Sequence, residues 1–352
     1  RRRAAVLQLL RVEEEGAFAG QLQASRELDS LHPRDRGMVK AAVMGVTKLH
    51  RRLDHILRAA SSRPLEDLDP EIHMTLRLAV WELTDQETPP HAVLNECTEL
   101  ARSFAGEGAA RMTTGCLRQV QRLMMAKALP NAIEELPEGA SNRDVARALA
   151  VELSHPTWLA RRWLERFGFE ECEALLRANN VPPAFGVRVC DDSSSAAEFR
   201  NNLEAIGVSG AEVSQYLPEE FVRIPPGGTL QPLMGDEGLL SRGKCAIQDE
   251  AAAMVVSLLD PQPGDRIADV CAAPGGKALF AAQRLRGEGK VVAVDIHERK
   301  VGLLEGAARQ QGLDAVVSVH CADAIEWCAQ PKLAQTFDRV LVDAPCSGPG
   351  VL

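Results

Sequence analysis

The residues best suited to chemistry are Cys271-Ala272-Ala273-Pro274-Gly275-Gly276-Lys277. They follow an apolar run, Ile267-Ala-Asp-Val270, and lead into Ala278–Arg286, which has helical spacing. Strand, glycine turn and helix in that order aim unpaired backbone N–H groups at a nucleotide-like ligand. Further strand-like runs end in or lead to carboxylates: Val291-Val-Ala-Val-Asp295, then Cys321-Ala-Asp323, then Arg339-Val-Leu-Val-Asp343. Asp295 follows the glycine turn at the spacing of an acid that accepts from ribose hydroxyls. One such Asp is as readily a helix cap, but a set falling after successive strands points to a ligand site. The turn is not Gly-x-Gly-x-x-Gly, which disfavours a nicotinamide enzyme, and it lacks the P-loop pattern.

These residues need a frame. Strands over 267–271, 291–295, 316–320 and 338–343 alternate with helices over 278–286, 298–311 and 324–329. That alternation predicts right-handed βαβ units and a parallel, Rossmann-like sheet. A helix through Leu259 leads into it from Lys244–Met254. Upstream, Phe185–Cys190, Phe221-Val-Arg-Ile-Pro225 and Gly238-Leu-Leu-Ser241 read as short strands, with a helix over Ala196–Ile206. Asp144–Leu153, Pro156–Phe167 and Glu170–Asn180 read as helices, with Trp158 and Trp163 as core anchors and His155 at a helix entry. Residues 129–143 carry Pro130, Pro137, Gly139 and Ser141, a linker composition. Residues 1–126 are helical throughout, which predicts an all-α bundle. The expected division is 1–128, a linker at 129–143, 144–245 and 246–352.

A chain of 352 residues with 45% hydrophobic and 25% charged residues is ordinary for a globular protein of several domains. No apolar run approaches the ~18 residues of a membrane span. The chain opens Arg1-Arg2-Arg3 without Met, the expectation for a processed chain or a fragment. Nine cysteines are scattered with no Cys-x-x-Cys pair, which argues against zinc or another metal and for a reducing compartment. The net charge of −9 is uneven: residues 1–130 hold 19 Lys and Arg against 17 Asp and Glu, and the remainder 21 against 32. The front is the part suited to a polyanion.

Arg3-Ala-Ala-Val-Leu-Gln-Leu-Leu10, Glu15-Gly-Ala-Phe-Ala19, Asp35-Arg-Gly37, Pro89-Pro-His-Ala-Val-Leu-Asn-Glu96 and Gly115-Cys-Leu-Arg118, in that order, resemble the NusB-like RNA-binding domain. Thr114 stands where that family usually has Asn. The basic cluster Lys48, Arg51, Arg52 and Arg58 is then a candidate RNA face, or simply a solvated helix surface. Cys271–Lys277, taken with Asp343-Ala-Pro-Cys-Ser-Gly348, resembles the S-adenosylmethionine pocket of RNA cytosine-5 methyltransferases. Ala278 replaces that family's usual Thr, and Pro345-Cys346-Ser347 differs from the Pro-Cys-Gln typical of DNA cytosine methyltransferases. By the same resemblance residues 184–245 are an RNA-recognition subdomain, with Val187-Arg188-Val189-Cys190 in place of Leu-Arg-Val-Asn.

The resemblance implies S-adenosylmethionine as cofactor, held by Cys271 to Lys277, Asp295, Asp323 and Asp343. It implies RNA of the small ribosomal subunit as partner, in a bacterial cytoplasm or a plastid stroma. It gives Cys346 a part in product release and assigns the covalent nucleophile to a later Thr-Cys-Ser motif. No cysteine here matches that motif: Cys328 lies in Glu-Trp-Cys-Ala and Cys245 in Gly-Lys-Cys-Ala. The expectation is therefore an incomplete, C-terminally truncated methyltransferase domain without turnover of its own. The alternative is a non-catalytic RNA-binding protein built on the NusB-like bundle.

Overall fold

The computed structural model describes residues 1–15, 31–190 and 194–345. They form two compact units, Arg1–Asn180 and Val181–Leu352.

The first unit is helical. Helices α1 (Arg2–Glu15), α2 (Pro33–Ala60), α3 (Pro70–Thr84) and α4 (Pro90–Met125) share one core that includes Val6, Val43, Leu53, Leu76 and Leu117. Pro33, Pro70 and Pro90 each sit in a first turn, where the missing N–H costs nothing. The helices over 91–104 and 109–126 run together as α4, kinked at Ala105 and Gly106, where φ is +77° at the glycine. Gly45 is required for close packing, because a Cβ there would lie 2.3 Å from Nε1 of Trp81. Buried charge is paired: Arg77 donates to both oxygens of Asp54 at 2.8 and 2.7 Å, and Arg2 grips Glu82 at 2.6 to 3.0 Å.

Helices α5 (Asn142–Glu152) and α6 (Thr157–Asn180) complete this unit with a small core of their own, including Leu149, Ala160, Leu164 and Leu176. The tryptophan expectation needs correction. Trp163 packs against that core, but Trp158 is 51% exposed. It occupies the first turn of α6, and Leu159, Ala160 and Leu164 form the inward stripe instead.

The second unit opens with a four-stranded antiparallel sheet, β1 (Phe185–Val189), β2 (Glu212–Val213), β3 (Phe221–Ile224) and β4 (Cys245–Ile247), ordered β2-β3-β1-β4. Helix α7 (Ala196–Ala205) packs on it behind a Ser195–Glu198 capping box. Gly238–Ser241 is a run of turns rather than the expected strand. Gly238, Arg242 and Gly243 donate to carbonyls three or four residues back. The edge position goes to β4, too short to show a period in the sequence.

After α8 (Glu250–Leu259) comes a parallel sheet of β5 (Arg266–Asp269), β6 (Lys290–Asp295), β7 (Val317–Cys321) and β8 (Arg339–Leu341), ordered β7-β6-β5-β8. Helices α9 (Gly276–Arg284), α10 (Glu298–Gln310) and α11 (Ala324–Cys328) alternate with the strands. Ile267, Val291 and Ala293 face a core with α8, α9 and α10, while Ala268, Val292 and Val294 face Trp327 of α11. Coverage of both faces explains the uninterrupted apolar strands.

Candidate functional site

Strand order reverses at β5: the chain passes to β6 and β7 on one side and returns to β8 on the other. Open α/β sheets bind ligands at this switch point, beyond the carboxyl ends of the strands. The predicted residues 271–277, Asp295 and Asp343 follow β5, β6 and β8 there, while Asp323 follows β7 at the far side of the sheet.

The 271–277 turn is fastened to β6. Ala272 donates to the Val294 carbonyl at 2.9 Å, and Ala273 donates to Oδ2 of Asp295 at 3.1 Å. Oδ1 of Asp295 accepts from the His297 N–H at 2.9 Å. Burial opposes ionisation of Asp295, but these N–H groups outweigh it and hold the carboxyl below its usual range. Gly275 has φ of +111° and caps α9, and a Cβ there would lie 2.8 Å from Cγ of Leu304. No other residue fits that position without strain. The α9 N-terminus beyond it presents N–H groups to the space above the sheet.

Across the switch point, Nζ of Lys277 meets Oδ2 of Asp343 at 2.5 Å, closing the turn against the chain after β8. Asp323 caps α11, accepting from Ile325 and Glu326 at 2.8 and 3.1 Å. The helix-cap reading therefore holds at Asp323, which also stands just past the carboxyl end of β7. Cys346 lies outside the described residues.

Sequence reasoning placed Asp269 in a strand but not in the site. It is 2% exposed, and its Oδ1 has no hydrogen-bond partner. Burial, reinforced by Asp343 and Asp295, pushes its carboxyl up to about 7 against the backbone N–H of Cys271 and the charge of Lys277. The signal in the sequence was a lone acid inside an apolar strand. Cys271 is surrounded by Asp269, Asp295, Asp343 and Asp323; burial and those charges raise its thiol, the opposite of activation. Burial takes Cys97 and Cys245 up to about 12 and Cys116 up to about 11, so these are packing residues.

The four candidate RNA-face residues of the first unit do not share one open face. Lys48 donates to the Asn180 carbonyl at 2.7 Å. Arg51 bonds Thr157 Oγ1 at 3.0 Å and the His155 carbonyl. Arg52 lies 3.3 Å from Asp85 and 3.4 Å from Glu152. Arg58 is exposed and meets Glu66 at 3.1 Å. Arg51 and Arg58 line a cleft of about 1000 Å³ together with His50, His55 and Arg147.

Switch-point geometry with a glycine turn and carboxylates at successive strand ends defines the class of nucleoside-cofactor enzymes to which methyltransferases belong. Comparison with known proteins narrows the class. Residues 1–122 match the NusB family, residues 155–221 the ferredoxin-like domain of RsmF/B-like methyltransferases, and residues 256–352 the 16S rRNA methyltransferase RsmB/F family. The probable ribosomal RNA small subunit methyltransferase B of Bacillus subtilis is 31% identical over 347 residues, covering 98% of this chain and 73% of that protein. The enzyme of the same name from Citrobacter koseri is 30% identical, covering 91% of this chain and 68% of its own. The crystal structure of PH0851 superposes with a TM-score of 0.63 at 22% identity, over 97% of this chain and 73% of that one, a likeness of fold. The chain belongs to the ribosomal RNA small subunit methyltransferase B family.

Proposed function

We propose that the chain binds S-adenosylmethionine at the switch point and serves methylation of cytosine carbon 5 in small-subunit ribosomal RNA. The observation that carries this is the convergence of the glycine turn with Asp269, Asp295, Asp323 and Asp343, four carboxylates against one lysine. The cofactor is a net cation with one ribose. An acidic pocket with an orphaned, buried carboxylate oxygen fits its charge, and Asp295 fits its hydroxyls. When bound, the cofactor supplies an electrophilic methyl group.

The residues of this chain then have defined tasks. The 271–277 turn orients the amino-acid end, and Asp295 the ribose. Asp323 borders the adenine side at the end of β7, and the Lys277–Asp343 pair closes the pocket. Cytosine carbon 5 is a poor nucleophile until a thiolate adds to carbon 6; carbon 5 would then take the methyl group as the S–CH3 bond breaks and a neutral thioether leaves, after which a base removes the carbon-5 proton and the thiolate is expelled from carbon 6. The target base must stand out of any helix for this to occur. Cys346 takes the release step in this reading.

The thiol that adds to carbon 6 is not among the cysteines of these 352 residues. Burial raises the thiols of Cys97, Cys116, Cys172, Cys245 and Cys271, the opposite of activation at those five. Incubation of these 352 residues with methyl-labelled cofactor and a small-subunit rRNA fragment is the test. Cofactor crosslinking without transfer of label is expected. Transfer of label overturns the assignment of the nucleophile, and absence of any cofactor binding overturns the pocket.

A further inference from the structure

Arg188 is the largest fully buried side chain among the described residues, at 0% exposure. Strand β1 turns Val187 and Val189 into the core of the antiparallel sheet, so Arg188 projects from the opposite face. That face is covered by the parallel-sheet domain. The guanidinium lies 5.4 Å from the ring centroid of Phe280 on α9. Its donors go to three amide oxygens: Nε to Gln248 at 2.9 Å, Nη2 to Gln311 at 3.0 Å, and Nη1 to Gln283. Among the described residues no carboxylate pairs with it. A buried cation held only by neutral oxygens is satisfied in hydrogen bonding but not in charge.

Gln248 links this cation to the cofactor turn. Its Oε1 accepts from Arg188, which orients the amide and leaves Nε2 facing away. Gln248 is 7% exposed and Nε2 has no acceptor. The same side chain packs on the turn: a Cβ built on Gly276 would lie 3.7 Å from Cδ and 3.8 Å from Nε2 of Gln248. The Gln248 amide therefore bridges the Arg188 guanidinium and the start of α9 at Gly276.

We propose that Arg188 is a positioning residue whose buried charge, relayed through Gln248, makes the turn selective for the carboxylate on the amino-acid end of S-adenosylmethionine. The inference rests on the cofactor reading above. The ribose goes to Asp295, so the other end of the cofactor reaches the α9 N-terminus, and that end carries its only anionic group. In a low-dielectric interior a charge behind the turn acts on a ligand it does not touch.

Equilibrium dialysis of the whole chain against S-adenosylmethionine and against its decarboxylated analogue isolates the effect. The two ligands share the nucleoside, sulfonium and amine and differ in the carboxylate. Arg188→Met is expected to weaken the cofactor about fivefold, about 1 kcal/mol, leaving the analogue unchanged. Gln248→Met, which keeps the cation and breaks the relay, is expected to shift in the same direction, and Arg188→Lys to recover part of the loss. Should Arg188→Met fail to fold, Gln248→Met carries the test. Equal loss on both ligands makes Arg188 merely structural and overturns the proposal, as does no loss on either. A wild type that binds both ligands equally overturns it while sparing the pocket. A wild type that binds neither overturns the cofactor reading itself.

Discussion

The two units bury charge in opposite ways. In the first, Asp54 accepts from both Arg77 and His73, which outweigh its burial and hold it well below the usual carboxylate range. Arg2 is likewise closed by Glu82 and Glu96. In the second, Asp269 keeps an oxygen without a partner, and no carboxylate among the described residues pairs with Arg188. A paired buried charge is spent within the architecture, fixing how helices meet. A buried charge left uncompensated is free to act on a ligand, which is why perturbed groups concentrate at functional sites.

The largest expected effect breaks a closed pair. Arg77→Met leaves Asp54 buried with His73 alone and is expected to cost about 3 kcal/mol in urea unfolding. A cost under about 1 kcal/mol would mean that the first unit does not depend on its pairs. Next is Gly275→Val, which places a branched side chain at φ of +111° against Leu304. About 1–3 kcal/mol of strain and loss of cofactor retention in dialysis are expected. Unchanged retention would dissociate the turn from the site.

Asp269 gives the comparison a pH axis. Its carboxyl is raised to about 7 in the folded chain, so the native state binds the extra proton between the ordinary carboxylate range and that value. Stability from this group is therefore present at low pH and lost as pH rises toward 7. Asp269→Asn is expected to remove the decline, raising the melting temperature relative to wild type more at pH 8 than at pH 5. The reverse order would place a fixed counterion beside Asp269. The smallest effect belongs to the surface. Arg58→Glu combined with Arg147→Glu is expected to change stability by less than about 0.5 kcal/mol each. The same pair is expected to lower the salt dependence of rRNA binding by about two charges. An unchanged salt slope would mean that neither Arg58 nor Arg147 contacts the RNA.

Much of this molecule is legible in its sequence. The alternation of apolar runs with helical stretches specifies the parallel sheet, because strands covered on both faces must be apolar throughout. The order of Cys271–Lys277, Asp295, Asp323 and Asp343 places these residues past strand ends on one side of the sheet, because parallel βαβ units carry every strand end to the same side. Proline at helix starts marks the front bundle. The failures are equally physical. Trp158 is outside because stripe phase at a helix's first turn is set by what packs on it. Gly238–Ser241 turns because Gly238 donates to the Gly235 carbonyl and Leu240 folds back to that of Leu233, so neither N–H is left for a neighbouring strand.

What only the tertiary structure decided is the state of single charges. In sequence Asp269 is an acid in a strand, Arg188 the middle of Val-Arg-Val and Gln248 a polar residue before a helix. Burial and partners come from elements 60 to 123 residues away in the chain, as the Arg188 bonds to Gln248 and Gln311 illustrate. Hydrophobic period tells which face of a strand is covered by its own sheet. It does not tell what covers the other face, and that second layer determines whether a charge is neutralised or held in reserve.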